Sequence, residues 1–391
     1  MPVPPEVNRR AWSWRRQAFR GLVYQVLAVA AIVALLSFLV HNTLLNMRLR
    51  GIQSGSDFLF DPAGFDIGEG LFNFDSAQSY AMALWAGLLN TLRVAILGIA
   101  LTTVIGGLVG VGRFSRNALV RGLCRVYVEF FRNVPVLLQL LMWYLMFTEL
   151  LPDAAEAWQL GPVFLSKGGL NFPIPVWASG HLWAAWGLLL GAPLAWLWRG
   201  YAQRRFEATG IPRSMFWTPL ALLLACGVAG WVAGGAPTQA NMPMRGEFAI
   251  ENGGALTPEF LALLVGLTMY TAAFVAEVVR GGIQSVSLGQ AEAASALGLS
   301  QAQSMRLVML PQALRVIIPP MTNQYLNLTK NSSLAVAIGY PDVVSIANTA
   351  INQTGRAVEC IALIMVVYLS TSLLTSILMN WYNALSEIKE R

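Results

Sequence analysis

Eight long apolar stretches dominate this chain, at about residues 22–45, 82–112, 131–151, 181–198, 216–234, 257–280, 314–340 and 357–381. A helix that crosses a bilayer needs roughly 20 mostly apolar residues, because hydrocarbon satisfies no open backbone group. Only 12% of the residues are charged and mean hydropathy is +0.56, whereas a soluble domain carries about 25% charge. The expected fold is all-α, a polytopic integral membrane protein with about eight transmembrane helices. The seventh stretch is polar and carries Pro319-Pro320, which is expected to break or kink it.

Arginine placement orients the spans, since cytoplasmic loops collect basic residues. One set of loops holds Arg9, Arg10, Arg15, Arg16 and Arg20; Arg113, Arg116, Arg121 and Arg125; Arg199, Arg204, Arg205 and Arg213; Arg306 and Arg315; and Lys389 and Arg391. The opposite set holds only Arg48, Arg50, Lys167 and Arg245, with five acids from Asp57 to Asp75 in its first loop. Both termini are therefore expected inside. The run from Leu22 is too long for a cleaved signal peptide and reads as an uncleaved first span. Loop 46–81 is rich in Gly, Asp and Phe, and its apolar residues suggest that it folds onto the outer face.

Composition also excludes several functions. The net charge of +6 is accounted for by topology and does not imply nucleic acid. Cys124, Cys226 and Cys360 are scattered, and His41 and His181 stand alone, so neither a disulfide framework nor a metal site is expected. The three lysines, Lys167, Lys330 and Lys389, do not follow glycine, so the chain holds no phosphate-binding GK[ST] loop. Any ATP that drives it must be bound by a partner; no cofactor of its own is expected.

The polar segment Ser287–Pro311 stands out between two spans. Ser287 with Gln290, and Ser300 with Gln303, have the form of capping boxes. Gly298 sits where a left-handed residue would end the first short helix, and Pro311 would end a second that begins at Gln301. Glu292-Ala293-Ala294, Gly298, Val308 and Leu310-Pro311, at their spacing, resemble the EAA motif of type-1 ABC importer permeases, with Val308 where that family has Ile. The resemblance implies that this helix couples the permease to a separate cytoplasmic ATPase.

Further segments carry the same resemblance. Gly87 to Arg93 is similar to the start of the permease core of polar amino-acid importers. Glu129 to Gln139, EFFRNVPVLLQ, resembles the family's segment at the inner end of a core span. Tyr270 to Gln290 resembles the family run containing Ala-Glu-x-x-Arg-Gly-Gly, here with Glu277, Arg280, Gly281 and Gly282. Lys330-Asn331-Ser332-Ser333-Leu334 resembles a segment that often reads KDTSL. The implied division is an N-terminal part at 1–86, a permease domain at 87–385 with a two-helix insertion near 152–256, and a tail at 386–391. The enlarged size resembles one subunit of the general L-amino-acid and glutamate/glutamine/aspartate/asparagine transporters. That implies a bacterial inner-membrane location, a second related permease, a periplasmic binding protein and an L-amino acid as cargo.

Polar groups at membrane depth are costly and mark pathways. Asn323, Asn327, Lys330, Asn331 and Ser332 are the candidate pathway residues, because an amino acid needs donors for its carboxylate and acceptors for its ammonium. They serve equally well as helix glue, with Lys330 snorkelling. Glu277 with Arg280, and Glu129 with Arg132, are spaced to pair along a helix face. Arg93 either snorkels or meets a carboxylate substrate. Gly106, Gly110 and Gly112 fit close helix packing. The alternatives are an ion-coupled secondary transporter and an ABC importer of another small solute.

Overall fold

The computed structural model describes residues 17–49, 51, 55–210, 213–246 and 249–386. Arg9, Arg10, Arg15, Arg16, Arg50, Lys389 and Arg391 lie outside them. The chain divides into two compact units, one of residues up to Ile96 together with those from Gly281 onward, and one of Leu97–Arg280.

Twelve α-helices are described: α1 (Gln17–Leu49), α2 (Tyr80–Gly112), α3 (Ala118–Asn133), α4 (Val136–Leu145), α5 (Ser179–Thr209), α6 (Trp217–Ala233), α7 (Pro258–Gln284), α8 (Leu288–Ala296), α9 (Gln301–Ser304), α10 (Leu310–Asn331), α11 (Val343–Thr354) and α12 (Ala357–Ser386). Four helices, α1, α2, α7 and α12, are alone long and apolar enough to cross a membrane. Two bent pairs raise the number to six, and α6 is a shorter apolar helix. The indole-rich α5 is not in that set, so length and hydropathy support fewer spans than the eight read from the sequence.

The third expected span is corrected. The chain bends by 105° between α3 and the helix that starts at Val136. Pro135 disfavours helix in the residue before it, and Val134 is extended, with ψ 129°. Residues 113–130, expected as a loop, are instead mostly α3. Gln139, only 1% exposed, spans the corner: its Nε2 donates to Phe131 O at 2.9 Å and Val134 O at 2.8 Å.

The seventh span is corrected as well. α10 runs unbroken through Pro319 and Pro320. A 3-10 stretch, Ser332–Ile338, follows, and the 49° bend lies beyond it, where Gly339 is left-handed and Asp342 caps α11 through Ser345 N. Glycines let α2 and α7 approach: a Cβ on Gly106 would meet Val275 at 2.6 Å, and one on Gly110 would meet Val279 at 2.7 Å.

Outside the helical body, residues 158–160, 163–166, 169–172 and 254–256 form a four-stranded antiparallel sheet in that order, which an all-α reading did not anticipate. Loop 55–79 packs Phe58 and Ala63 against Tyr80 and Ala83 of α2, Ile346, Ala347 and Ala350 of α11 and Cys360 of α12.

Candidate functional site

α8 and α9 form two short helices joined at a glycine. Gly298 has φ +74°. Its N–H donates to Ser295 O, and Leu299 N donates to Ala294 O at 3.1 Å. These are the two bonds of a Schellman motif, which requires the left-handed residue found here. Ser300 caps α9: its Oγ accepts from Gln303 N, and Gln303 Oε1 accepts from Ser300 N at 2.9 Å. The first expected box does not form, because the Ser287 side chain makes no cap bond. Gln290 accepts instead from Gln312 Nε2 at 3.2 Å, which ties α8 to α10.

Pro311 does not end the second helix, as the sequence suggested. A π turn at Met305–Met309 leads into α10, which places Pro311 in that helix's first turn, where a missing N–H costs little. Within α8, Ala294 is buried, while Glu292, Ala293 and Ala296 are exposed. Leu288 and Leu297, at its two ends, are 79% and 81% exposed. Leu310 is half-buried and Pro311 exposed. Nothing among the described residues covers the outer faces of α8.

Glu277 of α7 gathers three guanidinium groups. It accepts from Arg280 Nε at 2.9 Å and from Arg113 Nη1, and Arg132 Nη1 lies 3.8 Å away. Arg132 therefore reaches Glu277, where helix spacing had suggested Glu129, and it also sits 5.3 Å over the Phe274 ring. Arg113 follows directly on the end of α2, and no sequence spacing linked it to Glu277.

On α10, Asn323, Asn327 and Lys330 share one exposed face, at spacings of four and three. Asn331 is half-buried. Ser332 is 0% exposed and its hydroxyl donates to Thr329 O at 2.7 Å, so it does not share that exposed face.

Arg93 is held by an acid of the preceding loop, a partner that its sequence context did not suggest. Its Nη1 lies 2.7 Å from Glu69 Oε1. Nearby, Asn90 Nδ2 donates to Glu69 O at 2.8 Å and Pro341 O at 3.0 Å, and Thr91 Oγ1 accepts from Val343 N. This polar junction was invisible in sequence, because Asn90 and Thr91 meet Pro341 and Val343 some 250 residues further on.

Known proteins resemble this chain over nearly its whole length. Residues 102–389 match the family described as binding-protein-dependent transport system inner membrane component. The chain is 44% identical over 385 residues to the general L-amino acid transport system permease protein AapQ of Rhizobium johnstonii, covering 97% of this chain and 96% of that one. It is 43% identical to the putative amino-acid ABC transporter permease protein YhdX of Escherichia coli, covering 97% of each. It is 38% identical to the glutamate/glutamine/aspartate/asparagine transport system permease protein BztB of Rhodobacter capsulatus, covering 95% of each. A matched region that includes the segment from Ser287 to Pro311 and most of the helical body means that the chain belongs to the binding-protein-dependent transport system inner membrane component family, as an integral membrane permease.

Proposed function

We propose that this chain is a permease subunit of an ABC importer for L-amino acids, driven by a separate ATPase that docks on α8. The observation that carries the reading is α8 itself: a helix stopped by its own Schellman motif, anchored through Ala294, with Glu292, Ala293 and Leu297 open. Such a helix is shaped for a cleft in a partner, and the three lysines give the chain no ATP site of its own.

The arginine asymmetry supports a cytoplasmic side for α8 and both termini. The exposed Asn323, Asn327 and Lys330 face lies on a span and cannot rest against lipid without cost. It fits a polar pathway shared with a second, related permease, into which a periplasmic binding protein releases the amino acid. ATP closure in the partner then moves α8, and through α10 the face that lines the path.

Affinity purification of the tagged chain from its native membrane tests this. A P-loop ATPase and a second permease should come with it. Recovery of the chain alone, with transport in liposomes under an ion gradient, would overturn the reading in favour of secondary transport.

A further inference from the structure

The α5–α6 pair is a hairpin with a graded seam. A Cβ on Gly187 would lie 2.2 Å from Cys226 O, and one on Gly230 would lie 2.2 Å from Trp183 O, so the two backbones touch there. Gly191 against Leu223 continues the seam at 3.1 Å. The close approach ends at that point, since Gly200 further along α5 meets nothing within 4 Å. Pro193 follows within α5 and cannot donate to the carbonyl four residues back. Beyond it lies a cavity of about 300 Å³ between the helices, walled by Ala192, Ala195, Trp196, Leu220 and Leu223, with Arg199 as its only charged lining residue.

The rim of that cavity is fixed and cationic. Trp198 Nε1 donates to Ser214 O at 3.3 Å, and Arg199 Nε donates to Met215 O at 3.2 Å. Only the Nε of Arg199 is engaged among the described residues. Arg205 and Arg213 lie 6.0 and 5.9 Å over the Tyr201 ring, and Arg205 Nη1 donates to Tyr201 Oη at 2.7 Å. Glu207 is the lone acid between Arg199 and Met215, and Gln203 donates to it.

We propose that this cavity is a binding site for an anionic phospholipid, whose acyl chain lies against Ala195 and Leu223 while Arg199 holds the phosphate. Apolar walls of this size suit a hydrocarbon segment, and a guanidinium at the rim suits a phosphodiester. Basic pockets between membrane helices on the cytoplasmic side take such headgroups. The inner-leaflet placement rests on the orientation proposed above. The binding itself does not, so its test reads lipid and not transport.

Native mass spectrometry of the full chain, titrated with dioleoylphosphatidylglycerol or dioleoylphosphatidylcholine, reads the site. Phosphatidylglycerol should be retained in preference, with retention falling about fivefold in Arg199→Gln, as expected for the loss of one basic contact. Arg199→Lys should restore most of it. Ala195→Trp, which fills the cavity and leaves Arg199 in place, should also weaken retention; if that variant fails to fold, the Gln and Lys variants at 199 decide. Equal retention of the two lipids, or equal retention by wild type and Arg199→Gln, overturns the proposal. So does displacement of the lipid by inorganic phosphate at matched concentration, which would mean that the acyl chain adds nothing.

Discussion

The loop at 55–80 and the α8–α9 segment at 287–304 lie in the same unit, yet they are held in opposite ways. The loop is fastened by partners far along the chain. Arg356 lies 3.1 Å from Asp57 and donates to Gly55 O, Gly55 N donates to Glu359, and Tyr80 Oη donates to Gln353 at 2.6 Å. Phe58 and Tyr80 pack with ring centroids 5.8 Å apart over the α11 core. The α8–α9 segment is held mostly by itself, through its Schellman bonds, the Ser300 box and the single link from Gln290 to Gln312. The first is bound in as part of the core. The second is a preformed shape with its outer face left open, as the docking proposed above would require.

The largest effect should come from breaking the loop's anchor. Glu69 and Arg93 are 6% and 16% exposed in their side chains. Glu69→Ala removes the carboxylate from a half-buried guanidinium, and the loss of such a charged hydrogen bond typically costs about 1.5–3 kcal/mol. Thermal unfolding of the purified variant should start many degrees lower. An unchanged melting temperature would mean that the loop is not fastened here.

Gly298→Asp should come next, and its effect should fall on transport more than on stability. A Cβ at this site meets nothing within 4 Å, so the penalty is not one of packing there. Asp enters φ +74° at a cost of about 1 kcal/mol, and its charge also falls at the C-terminal end of α8, which disfavours an anion. The result should be a lost Schellman motif and a turned α8, with uptake abolished and membrane insertion intact. Gly298→Asn, which tolerates the left-handed region, should keep measurable uptake. Glu292→Lys should abolish uptake without touching the fold, because Glu292 is exposed. Normal uptake in both Gly298→Asp and Glu292→Lys would break the contrast between an anchored loop and a docking helix.

What the sequence made legible follows the same division. Local features could be read directly: the left-handed Gly298, the Ser300 box, the pairing of Glu277 with Arg280, and the fitness of the α2 glycines for close packing, though not their partner helix, all depend on neighbours in sequence or on a helical repeat. Features built from distant partners could not. Arg93 with Glu69, Arg132 and Arg113 with Glu277, and Asn90 with Pro341 each join elements whose placement no single stretch encodes. Prolines misled in both directions. Pro319 and Pro320 were tolerated within α10 and Pro311 in its first turn, while the modest Val134-Pro135 step produced the sharpest bend.

The smallest effects should separate two serines that the sequence made equivalent. Ser300 and Ser287 each precede a glutamine by three residues. Only Ser300 caps, and Ser300→Ala should cost about 1 kcal/mol of local helix stability. Ser287 makes no cap bond, so Ser287→Ala should stay within about 0.5 kcal/mol. Hydrogen exchange of the amides of Gln303 and Ser304, against those of Gln290 and Ala291, measures both in one experiment. Faster exchange in the α9 variant alone places the rigidity of the docking segment in its second helix. Equal acceleration in both would mean that Ser287 caps α8 in solution. The first turn of α8 would then owe its order to its own side chain more than to the Gln290–Gln312 link that joins it to α10.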